Sequence, residues 1–214
     1  MREPLENIYA DHHASRRGAG FVLLGDERGA FLRTNIGAGK KVLDIGCRDG
    51  ALTKLYREGN DVTGLDIDSD ALGRAHKLGI ETRQVDLNGE WGVPQRDFDV
   101  VVAAEVIEHL YYPDSVIAKA AAALKDDGIL LGTVPNAFSL KNRLRLLFLK
   151  KQRTPLADPT HINHFTVQEL ESVLQKHFAQ VQIVGAGAAG PLARYAPQWF
   201  AFDLMFVATT PRRA

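Results

Sequence analysis

The stretch Val42-Leu43-Asp44-Ile45-Gly46-Cys47-Arg48-Asp49-Gly50 decides how the chain is read. Its first four residues form a short β-rich run, the last five a turn bounded by glycines, and the residues from Ala51 to about Glu58 suit a helix. A glycine turn between strand and helix lies at the carboxyl edge of a sheet, where open α/β folds bind their ligands. Gly46 lets the backbone approach a ligand closely, and Gly50 can take the positive φ of a tight turn. The dinucleotide fingerprint needs glycine at its first and third positions and Gly or Ala at its sixth. Counted from Gly46, the third position is Arg48 although the sixth is Ala51, so a nicotinamide cofactor is disfavoured. No Gly-Lys-Ser/Thr follows, which excludes a phosphate-cradling nucleotide loop of that type.

Outward from this turn, β-rich runs alternate with helical stretches, the pattern of a parallel sheet covered by helices. Strands are expected at Asp61 to Asp66, Ile80 to Asp86, Phe98 to Ala104 and Gly128 to Val134. The run from Phe98 is almost continuously apolar, as suits a central strand buried on both faces. Ser69 is expected to cap a helix running to about Lys77. Pro113 can open another, with Val116, Ile117, Ala120 and Leu124 on one face. Beyond Pro135 the rhythm breaks into an excursion over 136–163, where substrate contacts are expected. Thr166-Val167-Gln168-Glu169 is a capping-box pattern that opens the last helix. Val181 to Val184 and Phe202 to Thr209 supply two further strands. The expected fold is α/β, a doubly wound, Rossmann-like seven-stranded sheet, mostly parallel with its last strand reversed.

The 214 residues suit one domain with a well-buried core. Residues 1–39 are expected to form an arm or lid and 40–214 the domain. Lys+Arg and Asp+Glu are equal at 26 each, so no global charge favours nucleic acid or an anionic membrane. The single cysteine, Cys47, excludes an internal disulfide and fits a reducing cytoplasm. The start lacks the apolar core of a secretory signal, and no run of about 20 apolar residues suits a membrane span. A cytoplasmic protein is expected, of unspecified oligomeric state.

Quoted in order, Asp44 to Gly50, Gly64-Leu65-Asp66, Val85-Asp86-Leu87, Glu105-Val106-Ile107-Glu108-His109-Leu110 and Leu124-Lys125-Asp126-Asp127-Gly128 resemble the class I methyltransferases, specifically the group of the ubiquinone- and methionine-biosynthesis type enzymes. The resemblance implies S-adenosyl-L-methionine as cofactor and S-adenosyl-L-homocysteine as product. It places Asp44, Gly46, Cys47 and Gly50 at the first cofactor motif, with Arg48 departing from the usual middle glycine. It gives Asp66 to the ribose hydroxyls, with Ile67 beside it, Asp86 to the adenine amino group, and the Leu87 amide to the ring. Glu105 and the residues after it then lie beside the methionine part.

Methyl transfer from a sulfonium rests chiefly on positioning the acceptor. A protonated oxygen or nitrogen acceptor adds the need for a base, for which His109, His161 and His164 compete. The rival reading is that His161 or His164 orders its loop and caps the last helix. Glu105, Glu108 and His109 with His161 or His164 also resemble the metal set of small-RNA terminal 2′-O-methyltransferases; because that enzymes' aromatic motif is not reproduced, the expected site has no metal. Lys141, Arg143, Arg145, Lys150, Lys151 and Arg153 have no acidic residue between them, and Leu140, Leu144, Leu147 and Phe148 fall at helical spacing. Segment 138–153 thus reads as a basic amphipathic cap over the pocket, recognising an anionic acceptor or resting on a membrane, or as a solvated charged face. Tyr9, His12, His13, Arg16 and Arg17 belong to the arm. A small-molecule acceptor is expected, with an RNA methyltransferase and a non-catalytic cofactor-binding subunit as alternatives.

Overall fold

A computed structural model describes residues 5–12, 18 and 20–213. Among these, seven strands form one sheet in the order β3-β2-β1-β4-β5-β7-β6. The strands are β1 Lys41–Ile45, β2 Asp61–Asp66, β3 Glu81–Gln84, β4 Phe98–Ala104, β5 Leu124–Pro135, β6 Phe178–Ala186 and β7 Asp203–Pro211. All neighbours pair in parallel except β7, which runs against both β5 and β6. The helices are α1 Leu5–His12, α2 Gly25–Ile36, α3 Ser69–Lys77, α4 Pro113–Ala123, α5 Leu140–Leu147, α6 Val167–Gln175, α7 Pro191–Tyr195 and α8 Pro197–Phe200.

Strand β4 explains the two-sided core. Val101 and Ala103 pack with Leu43, Leu65 and the apolar stripes of α4 and α6, whereas Val100 and Val102 pack with Val42, Val62 and Leu32 and Ile36 of α2. Successive side chains of a strand point to opposite faces, so a continuous apolar run is what a sheet covered on both sides requires.

Four local expectations are corrected. The stretch after Gly50 is no α-helix but turns and a single 3₁₀ turn, Thr53–Leu55. The cap of α3 is Asp68, whose carboxylate accepts the Ala71 amide, and Ser69 is the first helical residue. Leu124 leaves α4 to become the first, fully buried residue of β5, which has an irregular register opposite Phe98–Val100. Neither His161 nor His164 caps α6: Thr166 does, in the expected capping box with Glu169.

Candidate functional site

Gly46 adopts φ 72°, and a Cβ there would come within 2.4 Å of Val106 Cγ2. The glycine therefore serves both the turn and the packing of the segment after β4. Gly50 turns at φ 73° against Ile80. The buried Cys47 side chain occupies the space that Gly64 leaves open. At the position of the missing middle glycine, Arg48 itself takes a left-handed φ of 52°. Its amide donates to Asp66 Oδ2 (2.8 Å), and its guanidinium donates to the carbonyls of Gly18 and Phe21. Asp49 Oδ2 accepts the Gly20 amide (2.7 Å). The residue that breaks the glycine pattern thus fastens the segment before α2 to the ligand-facing turn.

Two clefts of about 530 and 510 Å³ open along the carboxyl ends of β1, β2 and β4, and share Gly46 and Glu105. The first is walled by Ile67, Val85, Leu87 and Leu110, with the carboxylates of Asp66 and Asp86, and Leu5 and Tyr9 of α1 lie across it. The second is more polar and holds Arg28, Asp44, Cys47, Asp49 and Thr53. An apolar slot bearing two acids, continuous with a polar slot, has the character that a nucleoside joined to an amino acid requires. Asp66 Oδ1 accepts the Asp68 amide (2.9 Å) while Oδ2 accepts that of Arg48, which orients both oxygens. Asp86 Oδ1 accepts from the backbone and side chain of Asn88.

Asp44 faces inward. Its Oδ2 accepts from Thr53 Oγ1 and Tyr56 Oη, both at 2.6 Å. Burial pushes its carboxyl up to about 6, against the two hydroxyls that favour the charged form. It organises the turn after Gly50 as well as lining the second cleft.

Glu105 takes a left-handed φ of 57°. Its Oε1 accepts from Thr133 (3.2 Å) and its Oε2 lies 3.0 Å from Arg28 Nη2. The same guanidinium binds Asp203 at the start of β7, with Nε 2.8 Å from Oδ2. Burial disfavours this cation, but the two carboxylates outweigh burial and hold it above its ordinary value. Sequence reasoning missed both Arg28 and Asp203. Arg28 falls at i, i+4 and i+8 with Leu32 and Ile36, so a charge on the buried stripe of α2 was the available signal.

A third cleft, of about 860 Å³, also reaches Glu105 and is lined by Asn142, Arg145, Arg153, Asp158, His161 and Phe202 among others. His161 lines this cleft and His109 the first, and the end of the excursion brings the two together. The Glu108 carbonyl accepts the amides of Ile162 and Asn163 (2.9 Å each), bringing the His109 and His161 rings to 4.7 Å between centroids. His109 Nδ1 donates to the Thr160 carbonyl (2.9 Å), and Nε2 lies 3.8 Å from Glu108 Oε1. His161 Nδ1 donates to the Pro155 carbonyl (3.2 Å), which orders the loop, and its Nε2 lies 3.9 Å from Asp158 Oδ2. Tyr9 Oη donates to the His109 carbonyl (2.9 Å), and burial, then Tyr111 and Asp86, push its phenol up to about 12. His164 lines none of the three clefts, and burial lowers its pKa. Glu108, His109 and His161 present ligand atoms within 4.8 Å of one another, enough for a metal ion, whereas Glu105 turns away to Arg28. His13, Arg16 and Arg17 lie outside the described residues. Among the described residues no helix is long and apolar enough to cross a membrane.

Residues 16–178 match the family model described as "Methyltransferase domain". The mitochondrial ubiquinone biosynthesis O-methyltransferase of Bos taurus is 31% identical over 170 residues, covering 74% of this chain and 46% of that protein. The chain spans about half the length of the curated relatives it matches. A SAM-dependent methyltransferase from Thermotoga maritima superposes with a TM-score of 0.69 at 15% identity, covering 95% of each chain. Phosphoethanolamine N-methyltransferase 2 of Haemonchus contortus, in complex with S-adenosyl-L-methionine, superposes with a TM-score of 0.63 at 17% identity, covering 87% of this chain and 53% of that one. With three quarters of its residues matched by the family model, the chain belongs to the methyltransferase-domain family, and its sheet has the fold of a class I S-adenosylmethionine-dependent methyltransferase.

Proposed function

We propose that the chain transfers a methyl group from S-adenosylmethionine to an oxygen or nitrogen of a small, anionic acceptor. The observation that carries this reading is the meeting of three clefts at Glu105: two that suit a nucleoside and an amino acid, and a third lined by Arg145, Arg153 and His161. The curated relatives, named as ubiquinone biosynthesis O-methyltransferases, favour a hydroxyl oxygen as the acceptor atom.

When bound, the cofactor supplies an electrophilic methyl group on a sulfonium. Asp66 accepts from the ribose hydroxyls through the lone pairs its backbone donors leave, and Asp86 from the adenine amino group. Gly46 and Glu105 lie between the two halves. Arg145 and Arg153 orient an acceptor carboxylate or phosphate. His109 takes the acceptor proton at Nε2, since Nδ1–H is committed to the Thr160 carbonyl, and Glu108 favours the resulting imidazolium.

A second reading uses the same side chains differently, with Glu108, His109 and His161 holding a divalent ion that engages the acceptor oxygen. Titration calorimetry with cofactor and product, then methyl-transfer assays over phenols, amines and RNA ends, tests the proposal. Asp66→Asn should weaken cofactor binding by about ten- to a hundredfold, the worth of one or two charge-assisted hydrogen bonds. His109→Gln should lower the rate of methyl transfer. Turnover abolished by excess chelator would favour the metal reading, and tight cofactor binding without turnover on any acceptor would favour a non-catalytic subunit.

A further inference from the structure

Helix α5 is turned the wrong way for a cap over the pocket. Its buried residue is Asn142, whose Nδ2 donates to the Asn136 carbonyl (2.9 Å), while Leu140 and Leu144 stay 40% and 47% exposed. Its last residue, Leu147, and the following Phe148 and Leu149 are 73%, 67% and 93% exposed. The expected amphipathic helix exists, but its apolar residues face solvent rather than the cleft.

This face continues onto a part of the chain about 50 residues away in sequence. Arg143 stacks over the Trp199 ring of α8 at 4.7 Å, Trp199 and Phe200 are each 40% exposed, and Tyr195 on the adjoining α7 is 89% exposed. Lys141, Arg143, Arg145, Lys150, Lys151, Arg153 and Arg194 lie in these two segments, and neither 136–157 nor 186–202 contains an aspartate or glutamate. Contiguous exposed apolar side chains are costly in a soluble protein and mark a contact surface.

We propose that α5 with its 148–151 tail, flanked by α7 and α8, docks on an anionic lipid bilayer. Cations around exposed leucine and aromatic side chains complement an anionic headgroup layer over an apolar interior. A second copy across a two-fold axis would set these cations against each other with no acid in either segment to offset them. Nucleic acid is disfavoured because the tip is mostly aliphatic, and bases stack on aromatic rings rather than on leucine. Asn142, Arg145 and Arg153 belong to the same segment and line the third cleft, so an acceptor held in the bilayer would meet the cleft where the protein docks. The inference deepens the acceptor reading towards a lipid-borne molecule and rests on it there. Docking itself is measured without turnover, so the two can fail separately.

The test is co-sedimentation of the full chain with phosphatidylcholine vesicles, with and without about one third phosphatidylglycerol, at about 0.1 M salt. The wild type should pellet with the anionic vesicles and less with the neutral ones. Each cation at a membrane surface contributes about fivefold, so Lys150→Glu/Lys151→Glu should weaken binding at least about 25-fold. Phe148→Asp/Leu149→Asp should reduce it to background. These four side chains line none of the three clefts, so cofactor affinity and the far-ultraviolet spectrum should be unchanged, which controls for folding. Wild-type protein that stays in the supernatant with anionic vesicles overturns the proposal, as does binding that survives both variants. Tight binding of a single-stranded RNA without vesicle binding, or a dimer dispersed by the aspartates without vesicle binding, would assign the surface to those partners instead.

Discussion

Replacing Arg28 with methionine removes one guanidinium on which two buried carboxylates depend. Arg28 is 3% exposed and Asp203 fully buried, with Glu105 Oε2 3.0 Å from Nη2. Methionine keeps much of the aliphatic volume, so the change isolates the charge. Breaking a buried pair from one side costs about 3–5 kcal/mol, because the remaining charge stays desolvated. For a chain of this size, with m near 2–3 kcal/mol/M in urea, that is a midpoint lower by about 1–2 M. A carboxyl left without its cation takes up a proton more readily when folded than when unfolded. In the variant, stability is therefore retained below the unfolded value of about 3.9 and lost as pH rises through the raised folded value. The deficit should accordingly shrink between pH 7.5 and pH 5. Arg28→Met/Asp203→Asn should regain about half of it, since one of the two stranded charges is gone. Urea titrations at both pH values provide the measurement. A loss below about 1 kcal/mol at pH 7.5, or one equal at both pH values, would refute the view that this cation anchors α2 to the ends of β4 and β7.

Two other outcomes follow from the turn after β1. Burial raises Asp44 to about 6, so the folded protein holds this proton longer than the unfolded chain, and stability declines as pH rises from about 4 to about 6. Asp44→Asn should remove about 2 kcal/mol of decline between pH 4.5 and 7, measured by urea unfolding at those two values; an unchanged slope would show that the carboxyl is not desolvated. Gly46→Ala combines a left-handed backbone, about 1 kcal/mol, with a 2.4 Å approach to Val106 that adds about 1–3 kcal/mol. Adding Val106→Ala should recover the second part and leave the first, as thermal unfolding of single and double variants would show.

Strands β2 and β4 could be read from the sequence to their end residues, because apolar runs between turn residues have no other stable placement in an α/β domain. The edge strand β3 is shorter than its apolar ends suggested, since Ile80 and Val85 serve packing while only Glu81–Gln84 pair with β2. The helix after Gly50 was not legible, because Thr53 and Tyr56 are pulled onto Asp44 by contacts that no local pattern records. In the site, Asp66, Asp86 and Glu105 could be placed at strand ends from the order of motifs. That Glu105 would be held by Arg28 could not, because the partners are 77 residues apart in sequence and meet only when α2 packs on the sheet.

By itself, the order of short local patterns determined the sheet, its switch point and the acids along its carboxyl edge, since strand periodicity, turn glycines and capping residues act over a few neighbours. Tertiary structure alone decided which charges were paired, that His161 would meet His109, and that α5 would turn its leucines outward to join the aromatic side chains of α8. Those outcomes depend on burial and on contacts between distant segments, and the free energy of a charge or an apolar side chain is set by its surroundings rather than by its place in the chain.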